Sequence, residues 1–169
     1  MFDPYRRPTV AVVGAGISGC TAAAECAFSG FDTTLVDRQE YIGGHLTAPD
    51  APTVSRRQHF RTPYLKLTTT DGTPRSLIAH LEAAVDASGA TFRGGAEVTG
   101  AEWNAEEGQW EVSYTRSGET RTELFDVLVR ATGEIAHRLL DLARTGDVDG
   151  LVPYLDAGAP VDLADEAGN

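Results

Sequence analysis

The apolar positions of this chain change rhythm several times, and each change marks an element. Thr9 to Val13 is a short β-branched apolar run, which predicts a central parallel strand buried on both faces. From Ile17 to Ser29 the chain is alanine-rich and free of proline, predicting a helix that Gly30 stops. Thr33 to Val36 predicts a second strand, with Asp37 at its C-terminal end. Residues 47–63 lose the rhythm: prolines at 49, 52 and 63 and the arginines Arg56, Arg57 and Arg61 predict an irregular segment. Leu77, Ile78, Leu81, Ala84 and Val85 restore a helical period within Ser76–Ser88, closed by Gly89. The stretches "ATFRGGAEVTGAEW", "QWEVSYT" and "TELFDVLVRATG" then predict strands, joined by turns at Glu106-Glu107-Gly108 and Ser117-Gly118. Trp103, Trp110 and Tyr114 read as packing within this meander in preference to ligand stacking.

The first strand runs directly into Gly14-Ala15-Gly16-Ile17-Ser18-Gly19, and the acid Asp37 stands 23 residues after the first of these glycines. Strand, glycine turn, helix, strand and acid in that order point to a dinucleotide site. Gly14 permits the tight turn, Gly16 removes a Cβ so that a pyrophosphate can reach the backbone, and Gly19 lets helix and strand pack closely. The N–H groups and positive dipole end of the helix would receive the phosphate charge. Asp37 would accept hydrogen bonds from the ribose hydroxyls and repel a 2′-phosphate. The bland alternative is a turn that binds nothing. On these residues alone FAD and NAD remain nearly level.

The residues after Asp37 add a resemblance. Asp37-Arg38 and then the pair Gly43-Gly44 resemble the FAD-binding half of two-dinucleotide flavoproteins, above all the flavin-dependent monooxygenases. Their corresponding segment reads acid, basic residue, then Gly-Gly-x-Trp, with Leu46 here in place of the Trp. "YLKLTTT" resembles their Tyr-x-x-Leu-x-Thr-Asn segment, with Thr70 in place of the Asn. "DVLVRATG" resembles their hydrophobic strand ending in Ala-Thr-Gly, here Ala131, Thr132 and Gly133. The likeness covers roughly residues 8–133. It implies an α/β, Rossmann-like FAD/NAD(P)-binding fold, with a parallel sheet and an antiparallel β-meander inserted between its third and fourth strands. It also implies FAD contacts at Gly14, Gly16, Ser18, Gly19, Asp37, Arg38, Gly43, Gly44, Val98, Ala131, Thr132 and Gly133, with Val98 offering its backbone to adenine. In a complete relative NADPH reduces the flavin and O2 is used to oxygenate a substrate. The arginines of residues 47–63 are either a solvated face or contacts to phosphate or NADP.

Catalytic constellations of other kinds are absent from the sequence. His45, His59, His80 and His137 have no metal-ligand spacing, and the serine of "GISG" lacks the setting of a nucleophile elbow. No catalytic residue is assigned, because in a flavin enzyme the cofactor carries the redox chemistry. Cys20 and Cys26 lie six apart on a helix, face different ways, and read as small buried hydrophobes of a reducing compartment.

Charge then separates two regions of the 169-residue chain. Residues 1–133 carry 12 Lys+Arg and 17 Asp+Glu, whereas residues 134–169 carry 2 and 8. An acidic total of −11 with no basic run argues against nucleic acid and anionic membrane as partners. Arg6-Arg7 precede too short an apolar run for an export signal, and no stretch reaches bilayer length, so a cytoplasmic protein is expected. The acidic tail "HRLLDLARTGDVDGLVPYLDAGAPVDLADEAGN" resembles an ankyrin repeat. Leu140, Ala143 and Gly146 match the first helix and turn, Leu151, Tyr154 and Leu155 the second helix, Gly158-Ala159 its cap, and Asp165 with Gly168 the β-turn. The alternative is a generic acidic helical pair. One hairpin does not bury its own apolar face, so it either packs on the first domain, stays loosely ordered, or serves a protein partner. The expected organisation is a dinucleotide-binding domain over 1–135, incomplete beside its family, and a C-terminal α-helical hairpin over 136–169.

Overall fold

The computed structural model describes residues 6–49, 51, 59–68 and 73–133. The tail, where an ankyrin-like hairpin is expected, lies outside the described residues, as does Thr70. The chain divides into two units, Met1–Ala131 and Thr132–Asn169, and the described helices and strands belong to the first.

Four parallel strands form its central sheet: β1 (Thr9–Val13), β2 (Asp32–Val36), β5 (Thr91–Arg93) and β9 (Val127–Arg130), in the order β5-β2-β1-β9. Between β1 and β2 runs helix α1 (Ile17–Phe28); helix α2 (Pro74–Ser88) precedes β5. Thr73 caps α2 by accepting the Ser76 N–H, Pro74 occupies its first turn, and Gly89 ends it in the left-handed conformation. Period-two alternation then decides the layers. Val10, Val12 and Leu35 face the helices and meet Ala23, Leu77, Leu81 and Val85. Ala11 and Val36 belong to clusters formed with the meander, Ala11 with Val112 and Phe125, Val36 with Ala96 and Tyr114. The result is helices, parallel sheet and antiparallel sheet in three layers, the α/β, Rossmann-like arrangement expected.

The third layer comprises β6 (Ala96–Asn104), β7 (Gln109–Arg116) and β8 (Glu119–Phe125), inserted between the third and fourth parallel strands. Within "TELFDVLVRATG" the chain passes from the meander to the parallel sheet. β8 ends at Phe125, Asp126 intervenes, and β9 starts at Val127 in the other sheet. Asp126 fastens this change of sheet. Its carboxylate accepts the Thr9 N–H (2.7 Å), the Thr9 hydroxyl (3.0 Å), the Arg6 guanidinium (2.5 Å) and the Gln109 amide (3.0 Å). Burial opposes the charge, but the Thr9 N–H and the other donors prevail and hold the carboxyl at about 2.

The irregular segment expected at 47–63 also departs from expectation. It opens with a 3₁₀ turn (Gly44–Thr47) and ends in β3 (His59–Arg61), which pairs antiparallel with β4 (Lys66–Thr68). Thr62 between these strands donates its hydroxyl to Glu25 of α1, and the Tyr64 N–H donates to the same carboxylate (3.0 Å).

Candidate functional site

The site forms where β1 ends. Gly14 has φ +106, a conformation open to glycine, and its N–H donates to the Val36 carbonyl (2.8 Å), so the turn begins beside the end of β2. Gly16 and Gly19 differ sharply. A Cβ on Gly19 would stand 1.6 Å from the Gly14 carbonyl oxygen and 3.3 Å from the Ala131 Cβ, so Gly19 is required for the helix to approach the strands. A Cβ on Gly16 would meet nothing within 4 Å. Gly16 therefore faces open space, the room a pyrophosphate needs.

α1 starts there with no side-chain cap and no acid in its first turn. Its first amides thus point outward with their donors uncommitted to the helix, a suitable surface for an anion. Ser18 lies in this turn and is exposed. Asp37 closes the loop from the side: one carboxylate oxygen accepts the Ala15 N–H (2.5 Å), the other the Gln39 N–H (2.7 Å). Each oxygen keeps a lone pair, so the group can still receive ribose hydroxyls. Arg38 succeeds it in the chain, exposed.

The glycine pair arrives at the same place. The Gly43 N–H donates to the Ala15 carbonyl (2.8 Å), and a Cβ on Gly44 would approach the Gly16 Cα to 3.0 Å. Positive φ at both, +133 and +54, adds the conformational reason for glycine. Leu46, where the monooxygenase pattern has Trp, is buried in the core between sheet and helices. Ala131 donates its N–H to the Val13 carbonyl (2.8 Å), so this residue lies beside the loop. Thr132 and Gly133 fall in the second unit, and Gly133 has φ +75.

Val98 lies on β6, half-buried against Val36, Ala96 and Tyr114. Of the residues expected at the site, the structure thus gathers Gly14, Gly16, Gly19, Asp37, Gly43, Gly44 and Ala131 around one loop. Ser18 and Arg38 flank it, and Val98 is on the layer behind Asp37.

Several participants are residues to which the motifs assign no role. Ala15 is the hub: its N–H serves Asp37, and its carbonyl receives both the Gly43 N–H and the Cys20 thiol (3.3 Å). Burial, with the charges of Asp37 and Glu82, pushes the Cys20 thiol up to about 12, so it is no nucleophile at neutral pH. The main chain of Asp37 is held on both sides, its N–H donating to the Arg93 carbonyl (3.1 Å) and its carbonyl accepting the Ala96 N–H (2.8 Å). Gly94 is the readable signal for this, since a Cβ there would lie 2.5 Å from the Glu40 carbonyl oxygen. No group of three potential metal ligands occurs among the described residues, and no described helix is long and apolar enough to cross a membrane.

Comparison with known proteins agrees with this geometry. A family model described as an NAD(P)-binding Rossmann-like domain matches residues 12–69. None of the curated proteins matches. Among solved structures, closed cyclohexanone monooxygenase aligns with TM-score 0.58 and 26% identity, over 76% of this chain and 26% of that one. S-allyl-L-cysteine S-oxygenase from Allium sativum gives 0.56 and 19%, over 76% and 37%. OTEMO in complex with FAD and NADP gives 0.53 and 20%, over 76% and 26%. The chain therefore spans only 26% to 37% of the length of these proteins. What it shares with them is a Rossmann-like dinucleotide-binding fold whose structural neighbours include flavin monooxygenases.

Proposed function

We propose that this unit, over residues 1–135, holds FAD in the manner of a flavin-dependent, NADPH-using monooxygenase and is not a complete catalyst by itself. The observation that carries the reading is the open space over Gly16, bounded by the uncapped start of α1, the Asp37 carboxylate and the Gly43-Gly44 pair. The first amides of α1, with Ser18, receive the pyrophosphate, and Asp37 accepts the ribose hydroxyls. Arg38 lies beside the adenosine and Val98 offers its backbone to adenine. Gly43 and Gly44 flank the flavin side, and the small residues Ala131, Thr132 and Gly133 let the chain pass close to the cofactor. Bound FAD would supply the redox chemistry. Oxygenation with NADPH as reductant belongs to the longer relatives and is not carried over to this chain as an activity of its own.

A second reading keeps the same site and replaces FAD by NAD, favoured by the NAD(P)-binding description of the family model over residues 12–69. The tail, 136–169, fits an ankyrin-like hairpin offered to a protein partner in the cytoplasm, with an inactive fusion or interaction module as the alternative for the whole chain. Titration of the purified protein with FAD and with NAD, followed by flavin absorbance and fluorescence, decides among these. FAD should bind and acquire a perturbed flavin spectrum; tight NAD binding without FAD binding supports the second reading. A protein that takes up neither would sink the cofactor assignment. Gly16→Val should abolish FAD binding while the thermal midpoint stays nearly fixed, because φ −77° and ψ −170° suit a β-branched residue. Unchanged affinity would make the glycine loop purely structural.

A further inference from the structure

Behind Asp37 lies a partly buried polar cluster that the cofactor contacts do not use. The Arg93 guanidinium donates through one nitrogen to the Tyr114 hydroxyl (2.7 Å) and to Glu123 (2.6 Å), and the Tyr114 hydroxyl donates to the other Glu123 oxygen (2.7 Å). Arg93 also lies over the Tyr114 ring, 5.6 Å from its centroid. The three residues come from β5, β7 and β8, so the cluster spans the parallel sheet and the meander.

Its placement ties it to the site. Arg93 is the residue whose carbonyl accepts the Asp37 N–H, and Ala96, three residues on, donates to the Asp37 carbonyl. Tyr114 packs with Val36, Ala96 and Val98. The side chain of Arg93 is thus anchored in the meander while its backbone fixes the residue that meets the ribose. β2 pairs with β5 only as far as Val36–Arg93, so the Asp37 main chain lies just past the last paired residues and is held there by the Arg93 carbonyl and the Ala96 N–H. The cluster thus anchors the residue whose carbonyl receives the Asp37 N–H.

We propose that Arg93, Tyr114 and Glu123 are positioning residues for the adenosine half of the dinucleotide, acting through Asp37. The inference rests on the dinucleotide-binding reading above. It assigns the cluster a role in affinity for the cofactor, distinct from its role in joining two layers.

A double-mutant cycle on the intact chain tests it, with the FAD dissociation constant as readout for wild type, Arg93→Met, Asp37→Asn and the double variant. Arg93→Met should weaken FAD binding about tenfold, and the double variant should bind no worse than Asp37→Asn alone. Tyr114→Phe, which removes one hydroxyl and keeps the ring, should give a smaller loss in the same direction, and Arg93→Lys a partial recovery. Losses that add in the double variant would show that Arg93 acts independently of Asp37, and overturn the proposal. So would wild-type affinity in both Arg93→Met and Tyr114→Phe. If Arg93→Met does not fold, the same cycle built on Tyr114→Phe decides by the same criterion. A wild-type protein that binds no dinucleotide overturns the underlying reading, and the inference with it; that outcome is distinct from a binding protein whose variants behave as wild type.

Discussion

The parallel layer and the meander of this unit are built on opposite principles. β1 and β2 are buried along nearly their whole length, and Leu35, Val10 and Val12 have almost no contact with solvent. β6 and β8 are exposed at most positions and touch the core through few residues, among them Ala96 and Phe125. At β1 and β2 the first layer is held by apolar burial spread over nearly every residue. The second is held at a few anchors, Asp126 at one end and the Arg93 cluster at the other. Tolerance to substitution should therefore be low throughout β1 and β2 and, in the meander, low only at the anchors and at the few buried positions such as Val112 and Phe125.

The severest test falls on Gly19. Gly19→Val would drive a side chain into the Gly14 carbonyl, two stretches of main chain that cannot both yield. A loss above about 3 kcal/mol is expected, seen as an absent or strongly lowered urea transition. Next comes a matched pair of leucines. Leu35→Ala should cost about 2–5 kcal/mol, and Leu124→Ala on β8, 40% exposed, within about 0.5 kcal/mol of nothing. Similar losses for both would erase the contrast between the layers.

Asp126 should be the exception within the exposed layer. Its folded pKa, about 2, lies below the ordinary 3.8. The unfolded chain therefore takes up a proton first as pH falls. The contribution, about 2 kcal/mol by linkage, is fully present above about pH 4 and disappears as pH falls towards 2. Asp126→Asn should lower stability at neutral pH and flatten the acid limb of a urea stability profile between those values. An unchanged acid limb would remove Asp126 from the list of anchors. The smallest effect is expected at the Arg121–Glu119 pair, 3.2 Å apart and mostly exposed on both sides. Arg121→Ala should change stability by no more than about 0.5 kcal/mol.

Legibility in the sequence obeys the same division. Thr9–Val13 is a strand by its β-branched run and is found with those bounds. The α1 helix differs from its expected span only at Ser29, its cap. Burial on both faces writes itself into composition, so these elements can be read. The change of sheet at Asp126 cannot be read in that way. "TELFDVLVR" keeps one apolar rhythm across both sheets, and the only mark is an acid in the middle of it. Arg93, Tyr114 and Glu123 are scattered over 30 residues and carry no spacing signal. At the site, the glycines and Asp37 announce themselves through backbone demands that few residues meet. Ala15 does not, because its work is done by main-chain groups that every residue has. The strand His59–Arg61 is hidden by the prolines and arginines around it.

The Asp126 clasp also bears on how the chain reaches its fold. Thr9 and Asp126 are 117 residues apart in sequence, whereas β1 meets β2 across a single helix. Pairing of β1 with β9 therefore closes the longest loop in the unit and carries its largest closure entropy. During synthesis the glycine loop, α1 and β2 are available early, but the wall at Ala131 cannot form until the chain has been made past that residue. The candidate site would then be finished by β9, and the order of assembly would run from the glycine loop outward to the edge.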